Sequence, residues 1–199
     1  TRNANADTYK WRQYQADAVF NYVKSFNEKH NLNVTAGYAY YFRKEARLAA
    51  AGRGASTDLI PTLNASSVPV SVSSSITERS MQGIFARIGY DYKDKYLISV
   101  SARYDGASNL GTNNKWGFFP GVSLGWHVDK EKFWSFMPEN LMRLKLRASY
   151  GVNGNISGLG DYTAQGSYSV GSKYLGNAGI TMGTMANQDL SWELSLIHI

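Results

Sequence analysis

The stretch IFARIGYDYKDKYLISVSARY, residues 84–104, decides the fold. Ile84, Ala86, Ile88, Tyr90 and Tyr92 share one parity, and Lys93-Asp94-Lys95 then turns the chain into Tyr96, Ile98, Val100, Ala102 and Tyr104. Ser99, Ser101, Arg103 and Asp105 occupy the opposite parity. In an extended chain successive side chains point to opposite faces, so this pattern describes strands that are apolar on one side and polar on the other. A tight polar turn between two such runs predicts an antiparallel hairpin.

The pattern continues on both sides. Downstream, a polar loop at 105–115 leads to Trp116, Phe118, Pro120, Val122, Leu124 and Trp126, which alternate with Gly117, Gly121, Ser123, Gly125 and His127. DKEKFWSFM at 129–137 suggests a short helix. Met142, Leu144, Leu146, Ala148 and Tyr150 then alternate with Arg143, Lys145, Arg147 and Ser149. Upstream, Tyr14, Ala16, Ala18, Phe20 and Tyr22 form one apolar face, and Leu32, Val34, Ala36, Tyr38, Tyr40 and Phe42 form another, separated by NEKHN at 27–31. The Ala-, Ser-, Gly- and Thr-rich segment 46–80 loses the alternation and is expected to be a long loop.

Composition points the same way. The 199 residues contain 14% aromatics and 19 Gly against 4 Pro, a mixture suited to strands and turns. Cysteine is absent, which excludes disulfides, zinc-thiolate sites and cysteine nucleophiles. The net charge of +6 is spread along the chain instead of forming a basic tract, so nucleic acid is not an expected partner. A transmembrane helix would need a run of about 18 apolar residues, and the sequence holds none.

About six strands are long enough to cross a bilayer when tilted, and connections alternate between compact and long, as barrel turns and extracellular loops do. Tyr, Trp and Phe recur at the ends of the apolar faces, where amphipathic rings sit at headgroup level. The expected fold is therefore all-β: an antiparallel transmembrane β-barrel segment, open as a fragment, whose closing strands lie beyond its ends. An open sheet edge in hydrocarbon would leave backbone groups unpaired at several kcal/mol each. Tyr90, Tyr92, Tyr96, Ile98, Val100, Val122, Leu124, Leu144 and Leu146 are expected to face lipid. Arg103, Arg143, Lys145 and Arg147 are expected to face the lumen. A soluble β-sandwich, acting as an adhesin or carbohydrate-binding module, has the same alternation and stays open on periodicity alone.

Little in the sequence points to catalysis. His30, His127 and His198 lack paired metal-ligand spacing, so no metal or cofactor is expected. Gly151, Gly154, Gly158 and Gly160 imitate a phosphate loop, but no βαβ unit surrounds them. No Ser, His and acid form a recognisable nucleophile arrangement, and an enzyme is not expected. Asp105, Asn109, Asn113 and Asn114 cluster in one loop and are candidates for contact with calcium or sugar hydroxyls, although turn chemistry favours the same residues; Trp116 and Tyr162 are candidate stacking rings, and Trp116 fits an aromatic girdle equally.

Three stretches carry a family resemblance. FARIGYDYKDKYLISVSARYDGASNLGTNNKWGFFPGVSLGWHV at 85–128, LMRLKLRASYGVNGNISGLGDY at 141–162 and MANQDLSWE at 185–193 resemble SusC/RagA-type TonB-dependent outer-membrane transporters of Bacteroidetes. The third has Gln188 where that family usually has proline. The resemblance implies energy-coupled import of glycan or peptide oligomers across the bacterial outer membrane. It also implies a SusD-like lipoprotein lid, a TonB-ExbB-ExbD complex acting through a plug that lies outside residues 1–193, and outer-membrane lipid around the wall. A passive porin is the alternative within the same architecture. The closing LSLIHI departs from the family pattern, and residues 194–199 are expected to be a non-native, adapter-derived tail.

Overall fold

The computed structural model describes residues 2–60, 62–134 and 143–198, with His198 described by its backbone alone. Met142 and the end of the expected helix at 129–137 lie outside the described residues. The strands are β1 (Asn3–Phe26), β2 (His30–Ala55), β3 (Ser66–Tyr92), β4 (Tyr96–Ala107), β5 (Trp116–His127), β6 (Lys145–Asn155), β7 (Tyr168–Tyr174), β8 (Asn177–Met182) and β9 (Glu193–His198). β1 to β6 and then β9 form one seven-stranded sheet in that order, and β7 and β8 form a separate hairpin. The six expected strands correspond to β1 to β6. Contacts divide the chain into two compact units, Thr1–Gln15 with Tyr41–Ser80, and Ala16–Tyr40 with Met81–Ile199.

In the first unit, the expected long loop at 46–80 is mostly strand: β2 runs to Ala55 and β3 starts at Ser66, leaving a connection of only ten residues. Alternation fades along most of this stretch, yet Val68, Val70 and Val72 keep period two and are a legible β-branched signal. Ion pairs stitch these strands: Arg47 pairs with Asp7 through Nε and Nη2 at 2.9 and 3.0 Å, and Lys44 with Glu78 at 2.6 Å. Tyr14 stacks on Phe42 with centroids 6.2 Å apart.

In the second unit the registers are regular. Val100 lies opposite Ile88 on β3 and Val122 on β5, and Val122 lies opposite Tyr150 on β6. The turns joining β1 to β2 and β3 to β4 place Asn27, Glu28, Lys93 and Asp94 at positive φ, as type I′ turns require. Asp94 tolerates this conformation, and its N–H donates to the Asp91 carboxylate at 2.8 Å. The expected helix after β5 is two 3₁₀ turns, Val128–Lys130 and Lys132–Trp134. β6 begins at Lys145, so Arg143 and Leu144 belong to the connection instead of the strand. There the Leu144 carbonyl accepts from the N–H groups of Val128 (3.0 Å) and Asp129 (3.3 Å).

Candidate functional site

The sheet of the second unit has two chemically distinct faces. On the apolar face, cross-strand rows follow from the registers: Tyr92, Tyr96, Trp126 and Leu146; Tyr90, Ile98, Leu124 and Ala148; Ile84, Tyr104 and Phe118. Ile98, Val100 and Leu124 are 44, 50 and 52% exposed. The buried hydrophobic residues among those described are few, Ala107, Leu110, Phe119, Val128 and Ala164, and none of them belongs to this face. A sandwich would cover its apolar face with a second sheet. Here that face is uncovered.

Aromatic rows border it at both ends. Tyr92 stacks on Tyr96 (6.4 Å) at one end, and Tyr104 stacks on Trp116 (5.0 Å, 12° between planes) at the other. Tyr96 and Tyr104 are eight residues apart on β4. At ~3.4 Å per residue and a tilt of ~40° this separates the two rows by about 21 Å along a membrane normal, near the ~25 Å apolar band of outer-membrane barrels. Trp116 thus sits on the apolar face within an aromatic row.

The polar face carries Arg87, Ser99, Ser123, Lys145, Arg147 and Ser149 around a concavity of about 880 Å³. Arg103 shares this parity; its Nε donates to Asp105 at 2.5 Å, and its guanidinium lies over the Phe85 ring. Glycine makes room on this face. A Cβ at Gly37 would lie 2.5 Å from the Phe85 ring, and one at Gly154 would meet both Phe119 and Trp192.

At the end of the sheet marked by Trp116, the candidate loop residues are drawn into an intramolecular clasp. Asn109 is completely buried. Asn113 Nδ2 donates to the Asp189 carboxylate at 2.8 Å, and Asn114 Nδ2 donates to the Asp189 carbonyl at 2.9 Å. The Gly111 N–H donates to Leu190 O (2.9 Å), and the Trp192 indole N–H donates to Lys115 O (3.2 Å) while its ring meets Phe119 edge-on. Segment 187–192 is therefore a strap that holds loop 108–115 in place. Sequence reading missed this partnership, although MANQDLSWE was conspicuous as a motif. Tyr162, 44% exposed, lies elsewhere in the connection between β6 and β7.

At the opposite end, Glu131 gathers three donors: Tyr96 OH at 2.5 Å, Lys95 Nζ at 3.1 Å and Trp126 Nε1 at 3.3 Å. The Tyr96 hydroxyl first, then Lys95 and Trp126, holds the Glu131 carboxyl below the usual carboxylate range. The two 3₁₀ turns are thereby tied to the β3–β4 turn. This knot also escaped sequence reading, because its members are separated by up to 36 residues.

Comparison with known proteins agrees with this geometry. Residues 1–196 match the family described as TonB dependent receptor-like, beta-barrel. TonB-dependent receptor P39 of Formosa agariphila is 36% identical over 186 residues, covering 90% of this chain and 17% of that protein. TonB-dependent receptor SusC of Bacteroides thetaiotaomicron is 32% identical over 98 residues, covering 49% of this chain and 10% of SusC. Among solved structures, the RagAB peptide transporter superposes with a TM-score of 0.86 at 26% identity, covering 96% of this chain and 21% of that one. The chain thus spans about one-fifth or less of the length of these relatives. An antiparallel sheet with a bare apolar face between aromatic rows, matched along nearly its whole length, makes this chain a member of the TonB-dependent receptor-like β-barrel family, of the SusC/RagA kind.

Proposed function

We propose that this chain forms wall and extracellular loops of an outer-membrane importer that takes up glycan or peptide oligomers. The apolar face, Tyr90, Tyr96, Ile98, Val100, Val122, Leu124 and Leu146 foremost, meets acyl chains. Arg103, Lys145 and Arg147 face a hydrated lumen. The long ends of β2 and β3, loop 105–115 and the segment from Ile156 to Trp192 stand on the extracellular side, where a SusD-like lipoprotein lid and substrate would be met. TonB-ExbB-ExbD supplies force through a plug encoded elsewhere in the same protein, and no reaction is catalysed. Residues 194–199, most of which pair with β6 as part of β9, are adapter-derived, a reading that resequencing of the locus would reject if the six codons lay inside a longer frame.

The observation that carries this reading is the uncovered apolar face, since half-exposed Ile98, Val100 and Leu124 fit lipid and not a protein core. The test is fractionation of the intact parent protein. It should require detergent for extraction and migrate differently with and without boiling. Recovery in the soluble fraction, without heat-modifiable migration, would favour a soluble adhesin or carbohydrate-binding module instead.

A further inference from the structure

We propose that Arg87, Lys145 and Arg147 form a carboxylate-binding station on the polar face, which makes acidic oligomers the preferred cargo; this rests on the importer reading above. All three cations line the same concavity of about 880 Å³ in the second unit. The cross-strand row Ser99, Ser123 and Ser149 runs through its floor and offers hydroxyl donors between them.

The charge balance of this concavity is what singles it out. Among the described residues, none of the three cations has a carboxylate partner: the hydrogen bond that engages Arg87 runs from its Nε to Ser99 Oγ at 3.0 Å. Arg103, higher on the same face, differs in that Asp105 neutralises it. The acidic side chain that does line the concavity, Asp91, accepts from Asp94 N at 2.8 Å and Asn31 Nδ2 at 3.4 Å, so one negative charge, itself held by neutral donors, stands against the three cations. Gly125 leaves the Lys145 stem free to lie across the sheet, with Lys145 Cε 3.6 Å from where a Cβ would stand.

Three like charges on one concave wall raise the local potential and concentrate anions. Two guanidinium forks and an ammonium suit carboxylates, because Arg binds them in bidentate fashion and hydroxyl donors complete the remaining lone pairs. An oligomer bearing carboxylates at intervals, whether uronate sugars or Asp and Glu side chains, matches this chemistry. A neutral oligomer gains only the hydroxyl row.

The experiment uses the intact parent protein in detergent, first checked for heat-modifiable migration so that failure of the barrel itself is recognised separately. Binding of an oligogalacturonate, an oligoglutamate peptide and a neutral maltooligosaccharide is measured by calorimetry between low and physiological salt. An acidic probe should bind at least tenfold more tightly than the neutral one and weaken with salt, the uronate and peptide arms deciding which source of carboxylate is preferred. The triple variant R87Q/K145Q/R147Q should lose that preference, and Ser123→Asp, which leaves all three cations in place, should lower acidic binding by competition. Equal affinity for neutral and acidic probes would overturn the proposal. So would a triple variant that releases another part of the parent chain to protease while its acidic binding is unchanged, since the cations would then serve an internal partner.

Discussion

At the level of single residues, Glu131 shows how one carboxylate organises a turn. Its pKa is depressed chiefly by the Tyr96 hydroxyl, so the folded form binds its proton less readily than the unfolded chain does. The stabilisation is present above the ordinary carboxylate range and is lost as pH falls through the depressed value. Thermal melts of the parent protein across pH should therefore show wild type and Glu131→Gln converging on the acid side and separating towards neutrality. Trp192 is the corresponding anchor of the strap. Its half-buried ring packs on Phe119 and its N–H donates to Lys115 O, so Trp192→Ala should cost roughly 2–3 kcal/mol locally. Faster protease cleavage within 108–115 would register that loss.

Within the strands, β4 and β5 set the difference between the two faces. Val100 sits between the aromatic rows, and Val100→Arg should destabilise the barrel by about 2–4 kcal/mol, as arginine does near the bilayer midplane. Ser101→Arg, one residue along on the polar face, should cost far less, and urea unfolding in liposomes compares the two. Gly154, on the neighbouring β6, tests close packing. A Cβ there would collide with the rings of Phe119 and Trp192, so Gly154→Ala should cost about 1–3 kcal/mol through overpacking and should loosen the strap as well. The same urea series, read beside the protease assay on 108–115, measures both effects.

For the molecule as a whole, the proposed barrel wall turns on the two edges of the seven-stranded sheet. β1 and β9 are its outer strands, and β1 presents apolar side chains such as Trp11 (65% exposed) and Phe20 (64%) along its length. Residues 1–199 expressed alone should therefore remain detergent-dependent and fail to give the heat-modifiable migration expected of the parent, because unpaired edges in lipid cost several kcal/mol per group. Native-like migration of the isolated piece would contradict this.

The sequence by itself determined the parts of β1 to β6 that lie in the second unit, their two faces and the family, but not β7 to β9, because period two runs through 84–104 and again through 116–126, and a one-residue slip would invert both faces. It did not reveal the strand extensions at 46–55 and 66–80, where the apolar alternation lapses and only Val68, Val70 and Val72 keep the rhythm. Nor did it pair Asp189 with Asn113, or Glu131 with Tyr96 and Lys95. Those contacts join residues 76, 35 and 36 positions apart, and their partners are chosen by where the strand ends meet in space. Tertiary structure alone decided that the loop asparagines are clasped by a strap, and that Arg87 shares one concavity with Lys145 and Arg147.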